Sequence, residues 1–185
     1  MLRLRMNQGR ITKEKLAFIV SQCQKHQVLR THCTTCQTVQ FHDLKPEALT
    51  AIMKEALEND IVIRGGGGDY PRNVMCSPLS GVDPKESFDV YPYAKAAGEY
   101  LLKIINKYSL PRKLKVAFSN SETNEVHANF RDLGFIANDD HTFDVYCCGG
   151  LGNNPKMGVQ VGSHIDPKDI LYYVNTMVLM FMEHG

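Results

Sequence analysis

Lys113 and Lys115 stand two residues apart in Leu110-Pro111-Arg112-Lys113-Leu114-Lys115-Val116-Ala117-Phe118. On an extended strand, residues two apart share a face. The two ammonium groups would project together, with Leu114, Val116 and Phe118 turned toward a core. Like charges held side by side repel unless an anion sits between them or water screens them. The residues alone leave two readings open: a solvated edge strand, where lysines discourage sheet-to-sheet pairing, or an anion pocket. Arg3 and Arg72 lean toward the pocket, because each falls on a short strand or on a loop that opens a new element. Four cations exceed what a neutral ligand needs. They suit a small oxyanion, or a cofactor bearing many carboxylates, held by charge-assisted hydrogen bonds.

Cys33-x-x-Cys36 invites a metal or redox reading, with Cys23, His26, His32 and His42 near it in sequence. A zinc ribbon normally needs a second close pair, and the adjacent Cys147-Cys148 is a spacing poor for two ligands on one metal. A thioredoxin-type motif follows a strand at a helix N-terminus, whereas this one precedes a β-prone stretch. Packing is therefore preferred over metal binding, and zinc at Cys33 and Cys36 stands as an alternative. No four-cysteine set is spaced for an iron–sulfur cluster, and no Ser/His/Asp or paired-carboxylate arrangement is evident.

The elements that must position these residues can be read in order. With 185 residues the chain has room for one domain or two small ones. A hydrophobic content of 43% and a charged content of 22% fit a soluble globular protein. A net charge of +1 supplies no general basic field for nucleic acid or membrane. The apolar runs are short for a membrane span, the first residues do not read as a signal peptide, and six cysteines without secretory features point to a reducing cytoplasm.

Met1 to Met6 alternates as a strand, with Arg3 and Arg5 on one face and Leu2, Leu4 and Met6 on the other. Thr12 caps a helix running to about His26, with Leu16, Ile19, Val20 and Cys23 inward. Thr34 to Leu44 is β-prone, and Pro46 opens a second helix with Leu49, Ile52, Met53, Ala56 and Leu57 inward. Gly65 to Gly68 is a linker or a ligand-facing loop, and the flanking Arg64 and Arg72 favour the loop. Val74 to Pro78 is a short strand with Cys76 buried, and Tyr91 to Tyr108 is a helix. Beyond the Lys113 strand come a polar loop, Asn120 to Glu125, and two strands, Gly134 to Ala137 and Phe143 to Cys148. A second glycine loop follows at Gly149 to Pro155, and a closing helix begins at Asp166-Pro167.

Five stretches, in order, resemble the siroheme-dependent nitrite and sulfite reductases over the N-terminal half of their catalytic subunit. They are Met1 to Arg5 with Gly9 to Thr12 as the opening strand and turn, Gln37-x-x-Gln40-x-His42, Gly65 to Val74 with its ending Pro71-Arg72-Asn73-Val74-x-Cys76, Leu110 to Lys115, and Cys148 to Gly152, which matches a Gly-Gly-Gly-Leu-Gly loop save for its first glycine. The resemblance implies an α+β fold. A ferredoxin-like half domain (β-α-β-α, residues 1–62) would precede a mixed α/β siroheme-contacting domain (residues 63–185), the first of two pseudo-symmetric repeats.

The implied chemistry is six-electron reduction of sulfite to sulfide, or nitrite to ammonia, at a siroheme iron coupled to a [4Fe–4S] cluster. Arg3, Arg72, Lys113 and Lys115 would hold the oxyanion. Gln37, Gln40, His42, Arg64, Asn73, Gly149 and Gly150 would contact the cofactor. Lysine at Lys115, where plant-type nitrite reductases carry asparagine, leans toward sulfite. Cys36 departs from an arginine that reaches the siroheme carboxylates, so Arg30 or Arg64 would have to compensate.

The cluster ligands match none of the six cysteines, which implies a fragment or subunit needing a missing C-terminal half or partner. The other implied partners are sulfite or nitrite and an electron donor, ferredoxin or a flavoprotein, with neither nucleic acid nor membrane. The alternative function is a non-catalytic anion- or tetrapyrrole-binding module.

Overall fold

Alternation of apolar and charged residues builds the first strand. In the computed structural model, which describes residues 1–185, β1 (Leu2–Arg5) buries Leu2 and Leu4, with Met6 just beyond it. α1 (Lys13–Lys25) starts where the Thr12 hydroxyl accepts the Lys15 N–H at 3.3 Å. Its buried stripe is Phe18, Ile19 and Gln22, while Leu16 and Val20 are exposed. The expected apolar face is thus rotated by one position. Gln22 tolerates burial because its amide donates to Glu55 Oε2 at 2.7 Å on α2 (Pro46–Glu58). On α2, Ile52 and Ala56 are buried, and Met53 and Leu57 face outward.

The stretch expected as one strand from Thr34 to Leu44 is instead part of a hairpin. β2 (Thr31–Cys33) and β3 (Thr38–Phe41) flank a turn in which Gln37 takes a left-handed φ of 54°. The Thr34 and Thr38 hydroxyls pair across its base at 2.7 Å. The antiparallel order is β1-β3-β2, so the expected β-α-β-α becomes β-α-β-β-α. Cys33 is exposed at the end of β2, whereas Cys36 is buried in the turn.

A second sheet runs β4 (Met75–Cys76), β5 (Val116–Ser119), β6 (Leu133–Ala137), β7 (Phe143–Cys147) and β8 (Val159–Ile165). The first three strands are parallel and the last three antiparallel. α3 (Tyr91–Lys103) and α4 (Ile170–His184) cover one face over Leu114, Phe118, Phe135 and Phe143, with the Phe118 and Phe135 rings stacked at 4.5 Å. α3 ends earlier than the expected Tyr108, and β8 was not anticipated. On the other face Met75, Ala117, Val126 and Ala128 pack around Cys36, so the hairpin turn of the first sheet seals the second.

Side chains rather than a strand join the two sheets. Arg10 donates to the Ser80 carbonyl at 3.0 Å and stacks 3.6 Å above the Tyr91 ring. No helix is long and apolar enough to cross a membrane.

Candidate functional site

Arg3 sits opposite Gln40 in the β1–β3 register. With the Gln40 amide oriented by its neighbours, its carbonyl accepts from Arg3 Nε at 2.9 Å and from Nη2, and its nitrogen donates to His42 Nε2 at 3.2 Å. The guanidinium is therefore aimed by a buried amide that is itself fixed by an imidazole. Three of the residues singled out in the sequence meet here.

The four-glycine run folds around the neighbouring arginines. A Cβ at Gly66 would come within 2.9 Å of Arg3 Cβ, and one at Gly65 within 2.7 Å of Arg5 Nη1. Gly65 and Gly68 also take left-handed φ values of 71° and 66°, which other residues adopt at a cost. The loop returns its carbonyls to Arg72, whose Nη1 donates to Gly65 at 2.9 Å and Nη2 to Gly68 at 2.8 Å. Arg72 is 8% exposed, and its Nε has no partner at all. Burial lowers the Arg72 pKa, and the nearby charge of Arg3 lowers it further.

Pro71 bridges Leu114, and the Arg72 N–H donates to the Leu114 carbonyl at 2.8 Å, which brings this arginine beside the lysine stretch. Leu114, Val116 and Phe118 enter the core while Lys113 and Lys115 are half-buried; the strand expected from Lys113 begins only at Val116, with Leu114 held by its single bridge to Pro71. The backbone N–H of Lys115 donates to Asp132 Oδ2 at 2.6 Å. Burial raises the Asp132 pKa, partly countered by that hydrogen bond and by the charges of Lys115, Arg131 and Lys113. None of Arg3, Arg72, Lys113 and Lys115 makes an ion pair with a carboxylate.

The remaining candidates divide. Gln37 and Asn73 are engaged with backbone: Gln37 accepts from the Cys76 N–H at 2.9 Å and donates to the Cys76 carbonyl at 2.5 Å, and Asn73 donates to the Cys36 carbonyl at 3.0 Å and the Gln37 carbonyl at 3.2 Å. Arg64 is exposed, and only its carbonyl is engaged, by Arg5. A Cβ on Gly149 would collide with the Phe130 backbone, whereas nothing lies within 4 Å of one on Gly150. Gly149→Ala is accordingly expected to lower stability by about 1–3 kcal/mol. Gly150→Ala should stay within about 0.5 kcal/mol of the parent. Thermal melts of the two variants test this difference, and a change in tetrapyrrole binding by Gly150→Ala would then report ligand contact free of any folding defect.

Two residues near the site were not singled out from the sequence. Arg5 is 4% exposed and ties the Arg64, Pro71 and Arg72 carbonyls together. Its place beside Arg3 on an alternating strand was visible, but its burial was not. Asp132 carried a weaker signal, an acid next to Arg131 just before a glycine-containing strand. A separate cleft of about 280 Å³ between the sheets is lined by Arg10, Gln37, Cys76 and Tyr91 among others, and by none of the four cations.

The family model for the nitrite and sulphite reductase 4Fe-4S domain matches residues 67–185, and that for the nitrite/sulfite reductase ferredoxin-like half domain matches residues 1–59. A ferredoxin–nitrite reductase of Leptolyngbya laminosa is 21% identical, aligned over 100% of this chain and 38% of its own length. A sulfite reductase [NADPH] hemoprotein beta-component of Shewanella piezotolerans is 26% identical over 82% of this chain and 33% of its own. The chain thus spans about a third of the length of these curated relatives. Among solved structures, the Mycobacterium tuberculosis NirA protein superposes with a TM-score of 0.86 at 23% identity, over 99% of this chain and 34% of that one. Dissimilatory sulfite reductase I gives 0.83 at 12% identity, over 99% and 63%. Both likenesses establish an α+β fold with a ferredoxin-like half domain.

Proposed function

Because the chain belongs to the nitrite and sulphite reductase family, we propose that it supplies the cationic oxyanion face of a siroheme- and [4Fe–4S]-dependent reductase that converts sulfite to sulfide, or nitrite to ammonia, with Lys115 favouring sulfite. The observation that carries this reading is the set of cations without carboxylate partners, Arg3, Arg72, Lys113 and Lys115, with the buried Arg72 Nε still free to donate. A buried donor left unpaired is costly, and an anion at this face would relieve it. The residues present therefore fit a polyanionic tetrapyrrole and its oxyanion.

When bound, siroheme coupled to the cluster supplies an iron for the oxyanion and a path for six electrons. The chain's own residues bind and protonate. Arg3, aimed by Gln40 and His42, and Arg72, clamped by the glycine loop, stabilise negative charge. Lys113 and Lys115 add positive charge and carry protons for oxygens leaving as water. Arg64, which is exposed, and Gly150, where an added Cβ would meet nothing within 4 Å, would contact the cofactor. Gln37 and Asn73 act by fixing the turn beneath it.

We assign residues 1–62 to the half domain and 63–185 to the siroheme-contacting domain. The cluster ligands would come from outside these residues, because none of the six cysteines matches the ligand spacing that the family resemblance implies. Electrons would arrive from a ferredoxin or a flavoprotein. One observation favours the non-catalytic alternative. Cys36 is buried among Met75, Ala117, Val126 and Ala128, with no cation of its own to offer a carboxylate.

Lys115→Asn in the reductase containing this chain tests the proposal. Removing one charge should lower kcat/KM for sulfite about tenfold or more, and that for nitrite much less. Equal losses with both anions would remove Lys115 from the pocket. Absence of any reduction by the parent protein would favour the binding module.

A further inference from the structure

The adjacent Cys147 and Cys148 read, from spacing alone, as a poor metal pair, because successive side chains of a strand point to opposite faces. The backbone departs from that rule at this point. β7 ends at Cys147, and Cys148 turns into the left-handed region at φ 63°, a conformation costly for a residue with a Cβ. The turn brings both thiols to the same side, their sulfurs 3.6 Å apart. At a metal–sulfur length of about 2.3 Å, sulfurs so separated subtend about 103°, near the tetrahedral angle and far from a linear two-coordinate geometry. An ion held there needs further donors.

The thiols share a cleft of about 340 Å³ with the last turns of α4, which contribute Met177, Met180 and His184. Spacings of three, four and seven residues put these side chains on one stripe of the helix. Met177 is buried in the core, whereas Met180 is half exposed and free to swing. No three His, Cys, Asp or Glu side chains gather anywhere in the chain as a ligand set. His184 and Asp132 also line the cleft but do not gather with the two thiols into a three-residue ligand set, which leaves the sulfurs as the donors already brought together. Thiolates together with a thioether select a soft ion.

We propose that Cys147 and Cys148, with the Met180 thioether, form a binding site for a soft d10 cation, of which Cu(I) is the representative. Binding exchanges two thiol protons for two metal–sulfur bonds and involves no oxidation. The site adjoins the Lys115–Asp132 contact, since Asp132 also lines the cleft. It uses none of the oxyanion-binding cations.

The test is an anaerobic competition of the reduced protein against a chromophoric Cu(I) chelator. One tight equivalent is expected in the parent and in Cys33→Ser/Cys36→Ser, and its loss in Cys147→Ser/Cys148→Ser. Cys148→Gly guards against a folding artefact. Glycine is at ease at φ 63°, so this variant should melt no lower than the parent and still lose the tight equivalent. Met180→Leu should weaken binding while the melt is unchanged. Tight Cu(I) binding that survives Cys148→Gly, or that disappears in Cys33→Ser/Cys36→Ser, would overturn the assignment. A parent that binds Zn(II) but not Cu(I) would overturn it equally.

Discussion

Arg5→Met should destabilise the protein by about 2–4 kcal/mol, the largest loss expected from any single side chain described above. The Arg5 guanidinium donates to three carbonyls, those of Arg64 at 3.2 Å, Pro71 at 3.0 Å and Arg72 at 3.0 Å. Methionine fills similar space and leaves all three acceptors without that donor. Part of the loss is offset, because a buried charge is itself costly. Burial, then the charge of Arg72, pulls the Arg5 pKa down to about 10. At neutral pH the group is protonated in both the folded and unfolded states, so its contribution is flat with pH below that value. Arg5→Lys should not rescue, since one ammonium cannot reproduce a planar fork spread over three carbonyls. Urea denaturation measures the effect. A loss below about 1 kcal/mol would mean that water replaces the guanidinium at those carbonyls.

Arg72→Gln is the variant expected to damage catalysis most. In the reductase containing this chain, kcat for sulfite should fall by about 10²–10³-fold, the usual result of removing one donor from a developing oxyanion. Arg72 also holds the Gly65 and Gly68 carbonyls, so some stability will be lost with it. Arg72→Lys separates the two roles. It keeps a positive charge but cannot serve both carbonyls and an anion together. Anion affinity partly retained by lysine, with a similarly lowered melting point in both variants, would fit the double role. Unchanged kcat in Arg72→Gln would limit Arg72 to shaping the loop.

The burial pattern around the candidate cations was legible because it depends on local sequence. Leu114 and Val116 are buried and Lys113 and Lys115 are not, although β5 begins only at Val116, and Arg3 likewise lies between buried Leu2 and Leu4. Periodicity served less well on the helices. On α1 only Ile19 of the expected Leu16, Ile19, Val20 and Cys23 is fully buried; Phe18 and Gln22 join it, Gln22 because it finds Glu55 on a helix distant in sequence. Such a partner leaves no local trace. The hairpin at Cys33 to Cys36 was hidden because the turn uses Gln37 rather than glycine in a left-handed conformation. β8 escaped notice because Val159 and Val161 are exposed, so no buried face marks its period. Gln37 and Asn73 were read as ligand contacts, and their observed partners are main-chain atoms up to 39 residues away.

The two-ended pairing of Gln37 with Cys76 has a consequence for how the sequence can drift. β4 borders only β5 within its sheet, and on its open edge a side-chain amide imitates a neighbouring strand, accepting from one main-chain group and donating to the other. A backbone ladder tolerates nearly any residue. This substitute tolerates very few. Asparagine is one methylene short, glutamate has no hydrogen to offer, and lysine has no oxygen to accept with. Selection at position 37 would thus be strict whether or not a ligand ever touches it. Invariance there across relatives would record the joining of two sheets, and would be easily mistaken for the signature of a cofactor.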